Sequence, residues 1–326
     1  MVISQTPLRI SFVGGGSDLP SFYKKFGGAV VSTAIDKYIY INVNKKFDDL
    51  IRVSYSITEF ADKPEVIKHE LVREALLSVG IQNGVEITSI SDIPSKGTGL
   101  GSSSSYTVGV LNALRAYLGK FSSKEYLADK ACEIEIEKCH QPIGKQDQYA
   151  AAFGGFNFTE FHEDDSVSVS PIICSKDTIT KLQKNLLLLY TGITRSTKDI
   201  LEVQNKNSIN SRQAINSLKE MTKLAMKTRD ALSGDDLDYF GNILDENWQL
   251  KKSLAGGISS GNIDKWYGIA KKHGAVGGKI LGAGGGGFLL VYADEERHPE
   301  IVNSLPNLKP IDINFDNEGS RIIYYK

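Results

Sequence analysis

The sequence is poor in cysteine, and neither sign of charge is in large excess. Its three cysteines, Cys132, Cys139 and Cys174, match no metal-binding spacing and leave one thiol over in any disulfide scheme. This pattern favours reduced thiols, as in cytoplasmic proteins. The formal net charge of -1 excludes a broad basic surface of the kind that binds nucleic acid or an anionic membrane.

Long apolar runs are also missing. No stretch of about 18 apolar residues occurs, and the N-terminus lacks a charged segment followed by an apolar core. We therefore expect neither a membrane span nor a signal peptide. With 326 residues, of which 41% are hydrophobic and 24% charged, the chain is long enough to bury two packed cores. We expect a globular, cytoplasmic protein.

Strand-like and helix-like segments follow one another along the chain, which predicts a mixed α+β fold in two domains. Strands are predicted over 8–13, within 29–43, and over 85–90, 185–190 and 288–292, and helices over 65–79, 103–118, 124–139, 211–232 and 237–254. The composition turns polar at 161–171. We place the boundary there, with an N-terminal domain over 1–168 and a C-terminal domain over 169–326.

A glycine-rich loop before a run of serines is the strongest local signal. Residues 94–105 read PSKGTGLGSSSS, and a helix is expected to begin near Ser103. Glycine lets a ligand approach the backbone closely, and the first turn of a helix offers unpaired N–H groups and the positive end of its dipole. Together these features suit a polyphosphate. A plain turn with one capping serine is the alternative, but it does not require four serines.

Two other nucleotide motifs do not fit. No Gly-Lys pair is followed by Ser or Thr, which excludes a Walker A loop. Residues 282–287 satisfy G-x-G-x-x-G, but a predicted strand follows them where a dinucleotide-binding fold needs a helix. The sequence therefore disfavours a dinucleotide-binding protein.

Three motifs, in order and in rough spacing, resemble those of the GHMP kinases, the family of galactokinase, homoserine kinase and mevalonate kinase. Residues 94–105 resemble the family's P-x-x-x-G-L-G-S-S-A, with Ser104 replacing the commoner alanine, and residues 7–18 and 279–288 resemble its first and third motifs. The resemblance implies a two-domain GHMP kinase fold, with a left-handed βαβ unit in the N-terminal domain and a ferredoxin-like C-terminal domain. ATP and the acceptor would meet between them.

Residues 7–20, 143–155 and 190–196 further resemble the D-glycero-D-manno-heptose 7-phosphate kinases. This resemblance implies phosphorylation of the anomeric hydroxyl, which gives the 1,7-bisphosphate for nucleotide-activated heptose synthesis. A kinase for another acceptor, such as L-fucose or mevalonate, stays open. A non-catalytic sugar sensor on the same fold is a third reading, although such a protein would be expected to have lost its catalytic carboxylate or its phosphate loop.

The resemblance also implies roles for particular residues. It puts the catalytic aspartate at Asp147, for which a capping or loop aspartate is the alternative. Arg9 and Lys145 could neutralise phosphate charge near the transfer site. The residues expected to bind the nucleotide phosphates are Pro94, Lys96, Gly97, Thr98, Gly99, Leu100, Gly101, Ser102, Ser103 and Ser104.

A magnesium ligand is expected slightly more than ten residues before Asp147, where Glu133, Glu135 and Glu137 compete. The family offers a serine, here Ser103, to the same metal. On a helix, Glu135 shares its face with apolar residues, whereas Glu133 shares a solvated face. A carboxylate on an apolar stripe is costly unless a cation or hydrogen bonds accompany it. We therefore predict Glu135, with Glu137 left open and a buried structural ion pair as the alternative.

On the substrate side, Asp18 follows a triple glycine and could accept hydrogen bonds from sugar hydroxyls, or close the loop as an Asx turn. Arg195 could bind the 7-phosphate with two donors, or lie free on the surface. The predicted substrate-binding residues are Gly15, Gly16, Ser17, Asp18, Arg195, Gly284, Gly285 and Gly286. The expected small-molecule partners are ATP, magnesium and a sugar phosphate, and a homodimer stays open.

Overall fold

The chain is built on two β-sheets, in a computed structural model that describes residues 1–94, 97–194 and 198–326. The strands are β1 Val2–Val13, β2 Gly28–Lys45, β3 Ile51–Ser54, β4 Thr58–Ala61, β5 Val85–Ser91, β6 Phe156–Phe161, β7 Val167–Pro171, β8 Leu186–Tyr190, β9 Gly277–Ile280, β10 Phe288–Tyr292, β11 Lys309–Ile311, β12 Phe315–Asp316 and β13 Arg321–Tyr325.

Helices pack on both sheets. They are α1 Pro20–Phe26, α2 Glu70–Val79, α3 Ser102–Tyr117, α4 Lys124–Cys132, α5 Gln146–Phe153, α6 Lys176–Lys184, α7 Lys198–Asn210, α8 Arg212–Ser233, α9 Leu237–Lys252, α10 Gly261–Lys272 and α11 His298–Ser304, with 3-10 turns at Pro64–Val66 and Glu295–Arg297 and a π-helix at Glu133–Lys138. Among the helices so described, none is both long and apolar enough to cross a membrane.

The first sheet has nine strands and is organised by β1 and β2. Its path runs β13-β1-β2-β5-β3-β4, with β6 and β12 also paired to β2 and β7 paired to β6. The first half of β2 is buried on both faces, because helices α3 and α8 both contact this strand. β3 and β5 pair in parallel, and α2 lies in the crossover between them. The buried ends of β1 and β2 thus lie beside α3, the helix that follows the glycine-rich loop.

The second sheet has the order β11-β8-β10-β9, and its pairs are antiparallel. The apolar sequences LLLLY of β8 and FLLVY of β10 form its centre, as the sequence predicts. Helices α9 and α10 both contact β9, so this sheet is covered by C-terminal helices. The two sheets and their helices confirm the predicted α+β, two-domain fold.

The chain passes between the two sheets twice. It leaves the first sheet after β7, and it returns after β11 to add β12 and β13. The last strands of the chain therefore belong to the N-terminal sheet, with β13 antiparallel to β1. The predicted domain boundary between residues 168 and 169 concerns the passage after β7, and it stays a prediction.

The helix predicted over 65–79 is wrong at its start, since α2 begins at Glu70. The backbone N–H groups of Lys68 and His69 donate to the carboxylate of Glu59, at 2.7 and 3.1 Å. These tertiary bonds hold the preceding residues in an extended path after a single 3-10 turn, Pro64–Val66. The spacing of apolar residues within 65–79 cannot predict these bonds, because Glu59 lies in β4, outside that segment.

The helix predicted over 124–139 is real but changes type. It is α-helical over Lys124–Cys132 and continues as a π-helix over Glu133–Lys138, which closes with the Cys139 N–H donating to the Ile134 carbonyl at 2.9 Å. Single π turns inside helices occur frequently at functional sites. This one contains Glu135, the residue predicted to hold magnesium.

Candidate active site

The glycine-rich loop places the start of α3 at a cleft, and this helix start has no side-chain cap. Gly97, Gly99 and Gly101 have φ values of 68°, 78° and 76°, a region that favours glycine. Gly101 is the N-cap residue, and no side chain caps the helix. The N–H groups of the first turn are therefore left for a ligand, and the alternative of a serine cap is not what this helix uses.

The serines after the loop point to different partners. Ser105 donates to the Pro7 carbonyl at 2.8 Å, and Ser102 bonds the Thr98 hydroxyl at 3.1 Å. Ser103 donates to a carboxylate oxygen of Glu135 at 2.7 Å. The first and last of these bonds tie the loop to β1 and to the π-helix, so the start of α3 is fixed in place.

A cleft of about 370 Å³ opens at this helix end. Many of the residues predicted from the sequence meet there. Those that line it are Arg9, Gly16, Asp18, Gly97, Thr98, Gly99, Gly101, Ser102, Ser103, Ser104 and Asp147. The cleft therefore brings the first motif, the predicted phosphate-binding loop and the predicted catalytic aspartate into one space.

Asp147 and Arg9 form a two-bond pair beside the loop. The Arg9 Nε and Nη2 atoms donate to the two carboxylate oxygens at 2.8 Å each, and its Nη1 donates to the Gly99 carbonyl at 2.6 Å. The Arg9 side chain is 3% exposed, whereas that of Asp147 is 24% exposed. The guanidinium thus fixes the orientation of the carboxylate while one side of that carboxylate stays open to the cleft.

Three consecutive residues at the start of α5 connect three carboxylates, of which one, Asp147, belongs to the helix itself. Gln146 donates to Asp18 through its backbone N–H at 3.2 Å and its side-chain amide at 2.9 Å. Asp147 holds the next position, and Gln148 donates to Glu135 at 2.6 Å. Successive helical side chains point about 100° apart, which is why one short turn can serve all of these groups.

Asp18 is buried in the first motif and lies at the cleft wall. One of its oxygens also accepts the Gly16 N–H at 2.8 Å, which closes the loop from the residue two positions before Asp18, whereas an Asx turn binds the residue two positions after. Burial raises the pKa of this carboxyl, and the nearby Asp147 charge raises it further against the hydrogen bonds that lower it. Asp18 therefore closes its loop and faces the cleft at the same time.

Glu135 is fully buried, and burial raises its pKa to about 7. Its hydrogen bonds come from the neutral groups of Ser103 and Gln148. Glu133 instead pairs with Lys130 at 2.6 Å, and Glu137 is exposed. Glu135 is not among the residues that line the cleft, but Ser103, which donates to it, is. A carboxylate beside a hydroxyl is a donor set that suits magnesium shared with phosphate oxygens.

Comparison with known proteins decides the family. The model for the GHMP kinases N terminal domain matches residues 65–155, and that for GHMP kinases C terminal matches residues 228–310. The D-glycero-alpha-D-manno-heptose 7-phosphate kinase of Campylobacter jejuni is 31% identical over 97% of each chain. This chain is a GHMP kinase. It is a phosphotransferase that acts on a hydroxyl group, and enzymes of its family use ATP.

Further similarities agree on a sugar kinase. The crystal structure of a D-glycero-D-manno-heptose 1-phosphate kinase from Bacteroides thetaiotaomicron matches with a TM-score of 0.83 and 26% identity over all of both chains. A bifunctional fucokinase/GDP-fucose pyrophosphorylase of Arabidopsis thaliana is 28% identical over 96% of this chain, which spans 32% of that larger protein. The predicted family and fold are confirmed, and the identity of the sugar is not.

The third motif of this kinase packs directly on the phosphate loop. A Cβ on Gly99 would lie 2.3 Å from the Leu281 carbonyl oxygen, and one on Gly287 would lie 2.3 Å from the Thr98 carbonyl oxygen. The cleft is lined on this side by Gly282 and Ala283. The predicted substrate residues Gly284, Gly285 and Gly286 follow in the same tight loop, where the Gly285 N–H donates to the Ile258 carbonyl at 2.9 Å.

Other predicted residues lie away from the cleft lining. The Lys145 ammonium pairs with Asp165 at 2.7 Å, in a neighbouring cavity that Asp129 and Tyr149 also line. Ser17 is buried and donates to the Gly14 carbonyl at 2.8 Å. Gly15, Pro94 and Leu100 are not among the residues that line the cleft, and Lys96 and Arg195 lie outside the described residues. Their roles stay predictions.

Sequence reasoning missed Lys251, Lys279 and Gln204, which also line the cleft. All three residues are almost fully buried, with exposed fractions of 5%, 1% and 2%. A signal for Lys251 was present, because it continues the stripe of buried residues Leu237, Phe240, Leu244 and Trp248 along α9. A lysine on the apolar face of a helix is rarely buried without a function.

A Gly99→Ala substitution tests the contact between the two glycine loops. We expect it to lower the free energy of unfolding by more than the roughly 1–2 kcal/mol that a positive φ costs an alanine. We also expect kcat/KM to fall at least about tenfold, because the loops must move apart. Denaturant unfolding and steady-state kinetics measure both effects.

Gly80→Ala is the matched control, since Gly80 has a φ of 81° but open space around its Cα. It should show only the conformational cost and normal kinetics. Equal behaviour of the two variants would mean that the loop contact does not limit activity.

Proposed function

We propose that this kinase transfers the γ-phosphoryl group of ATP to the anomeric oxygen, O-1, of D-glycero-D-manno-heptose 7-phosphate. The product would be the 1,7-bisphosphate. The observation that carries the proposal is the oriented carboxylate of Asp147, beside an uncapped helix start in a cleft that also contains the buried acid Asp18. The 31% identity with the Campylobacter jejuni enzyme supports the choice of sugar phosphate.

In the proposed reaction, Asp147 orients the acceptor hydroxyl and accepts its proton. The O-1 atom forms a bond to the γ-phosphorus while the bond from that phosphorus to the bridging oxygen breaks, and ADP leaves. The N–H groups at the start of α3 hold the phosphates, and Arg9 keeps the carboxylate in its orientation. Asp18, fixed by Gln146, would accept hydrogen bonds from sugar hydroxyls.

Ser103 and Glu135 would hold magnesium together with nucleotide phosphates. When bound, the ion neutralises charge on the transferring phosphates. Gln148 holds the second oxygen of Glu135 and thus fixes how the carboxylate is presented. A third reading, a non-catalytic sensor, would not need this set of positioned carboxylates.

A kinase for L-fucose is the second candidate, because two fucokinases are among the relatives. The Arabidopsis thaliana and Bacteroides fragilis enzymes are 28% and 26% identical to this chain. Their similarity covers 96% and 99% of the chain, so coverage does not separate the two acceptors.

The deciding experiment is mass spectrometry of the products formed from ATP, magnesium and a panel of acceptors. The panel contains heptose 7-phosphate, heptose 1-phosphate, unphosphorylated heptose, L-fucose and mevalonate. We expect efficient formation of a bisphosphate from the 7-phosphate alone. Mild acid should release only one of its two phosphates, because an anomeric phosphate is acid-labile and a primary phosphate ester is not. Preferred turnover of fucose would overturn the proposal.

A further inference from the structure

Lys251 is a buried lysine at the cleft wall that forms no ion pair with a carboxylate among the described residues. Its side chain is on α9, and the residue is 5% exposed. Within the described ranges, no Asp or Glu oxygen lies at ion-pair distance from its ammonium; the one bond it makes there goes to the Gly282 carbonyl at 2.8 Å. Buried ammonium groups are normally paired, so this one has donors to spare.

The other buried basic residues that line the cleft in the described structure are already engaged. Arg9 is matched by Asp147. Lys279 donates to the carbonyls of Ser11 and Phe12 at 2.9 Å each, which fixes the end of β1. Lys251 therefore differs from both, because most of its hydrogen-bonding capacity is unused in the part of the chain that the structure describes.

Helix α9 places this ammonium accurately. One turn before it, Asn247 accepts the Gly14 N–H at 3.1 Å, so a single helix face holds both the first and the third glycine loop. Residues four apart lie on the same face of a helix. The position of the Lys251 head group is thus set by both loops that border the cleft.

Charges of both signs surround Lys251, since Asp18, Arg9 and Asp147 all lie near it. Burial lowers the pKa of Lys251 to about 8, partly offset by the charge of Asp18. An anion placed in the cleft would favour the charged form. Gln204 on α7 lines the same cleft and is 2% exposed. Its side-chain amide has no hydrogen-bond partner among the described residues. It offers amide donors beside the lysine.

We propose that Lys251 binds a phosphoryl group of the reactants once the cleft is filled. A phosphate dianion could come from the acceptor, as its own phosphate ester, or from the nucleotide, as the transferring γ-phosphoryl group. The inference rests on the proposed phosphoryl transfer, and it adds a binding residue to that site. It does not depend on which sugar is the acceptor.

The test compares Lys251→Met, which removes the charge and keeps the volume, with Lys251→Arg, which keeps the charge. Lys252→Met is the matched control, because Lys252 is next on α9 and pairs loosely with Asp264 at 3.5 Å. Kinetics are measured with the best acceptor of the wild-type panel, with the same sugar lacking any phosphate, and with ATP varied.

We expect kcat/KM to fall about 10- to 100-fold in Lys251→Met and to fall less in Lys251→Arg. In the control, Lys252→Met, kcat/KM should not change. A rise in KM confined to the phosphorylated acceptor identifies the acceptor's phosphate as the ligand. A fall in kcat with both acceptors identifies the transferring group. Retention of kcat/KM within threefold on every substrate would overturn the proposal.

Thermal unfolding separates binding from a structural role. Replacing a buried charge with an apolar side chain should leave Tm unchanged or raise it. The proposal would also be overturned if Tm fell in Lys251→Met and kcat/KM fell equally in Lys251→Arg. The wild-type panel keeps the two proposals apart. If heptose 7-phosphate is not turned over, the proposed substrate fails, and Lys251 is still tested with the acceptor that is.

Discussion

An Asp147→Asn variant should lose about 10³-fold in kcat while its affinity for ATP changes less than about threefold. The amide keeps an oxygen that can accept from Arg9 at the present 2.8 Å, so the local structure should be preserved. It cannot accept the proton of the acceptor hydroxyl. Nucleotide affinity should survive because the phosphates are expected to bind the loop and the start of α3.

Coupled-assay kinetics and calorimetric titration with a non-hydrolysable ATP analogue measure the two quantities. Asp230→Asn is the control, because Asp230 is an exposed carboxylate that pairs only with its neighbour Arg229 in the described structure. Near-normal turnover in Asp147→Asn would remove this residue from the reaction. A parallel loss of nucleotide affinity would mean that the pair with Arg9 serves the phosphate loop instead.

A Glu135→Gln variant should need far more magnesium than the wild type. We expect the magnesium concentration for half-maximal activity to rise by more than the 10- to 100-fold that loss of an outer-shell partner costs, because the substitution removes the proposed direct ligand. The amide can still accept the Ser103 hydroxyl, so the fold is retained. Activity as a function of magnesium, at constant ionic strength, gives the shift.

Glu137→Gln is the matched control in the same π-helix, since Glu137 is exposed. It should leave the magnesium requirement unchanged. The Tm of Glu135→Gln without metal should not fall, because a buried carboxylate without a cation is replaced by a neutral group. Similar shifts in both variants, or none in Glu135→Gln, would contradict a metal-binding role for Glu135.

The local signals in the sequence were enough to predict the uncapped start of α3 and to predict that Glu135, unlike Glu133 and Glu137, lies on a buried face. The glycines and serines of 94–105 predict a helix start that is open to a ligand, and α3 has that start. The face argument for Glu135 survives the change from α- to π-helix, because Glu135 is buried and Glu137 is not. Both predictions depend on residues close together in the chain.

What the sequence did not reveal depends on contacts between distant segments. The bond from Lys251 to Gly282, and that from Asn247 to Gly14, join α9 to loops that only the folded chain brings together. The pair between Lys145 and Asp165 likewise joins residues 20 apart in the chain. The role of Lys145 near the transfer site stays a prediction.

Gln146, Asp147 and Gln148 lie on one helical turn. One of these residues is therefore hard to substitute without affecting the contacts of the other two. Shifting any one of them to suit a new acceptor would also displace the groups that its neighbours hold. We expect substitutions there to combine non-additively. Redesign of acceptor preference has more freedom in α7, whose side chains reach the cleft without sharing that turn.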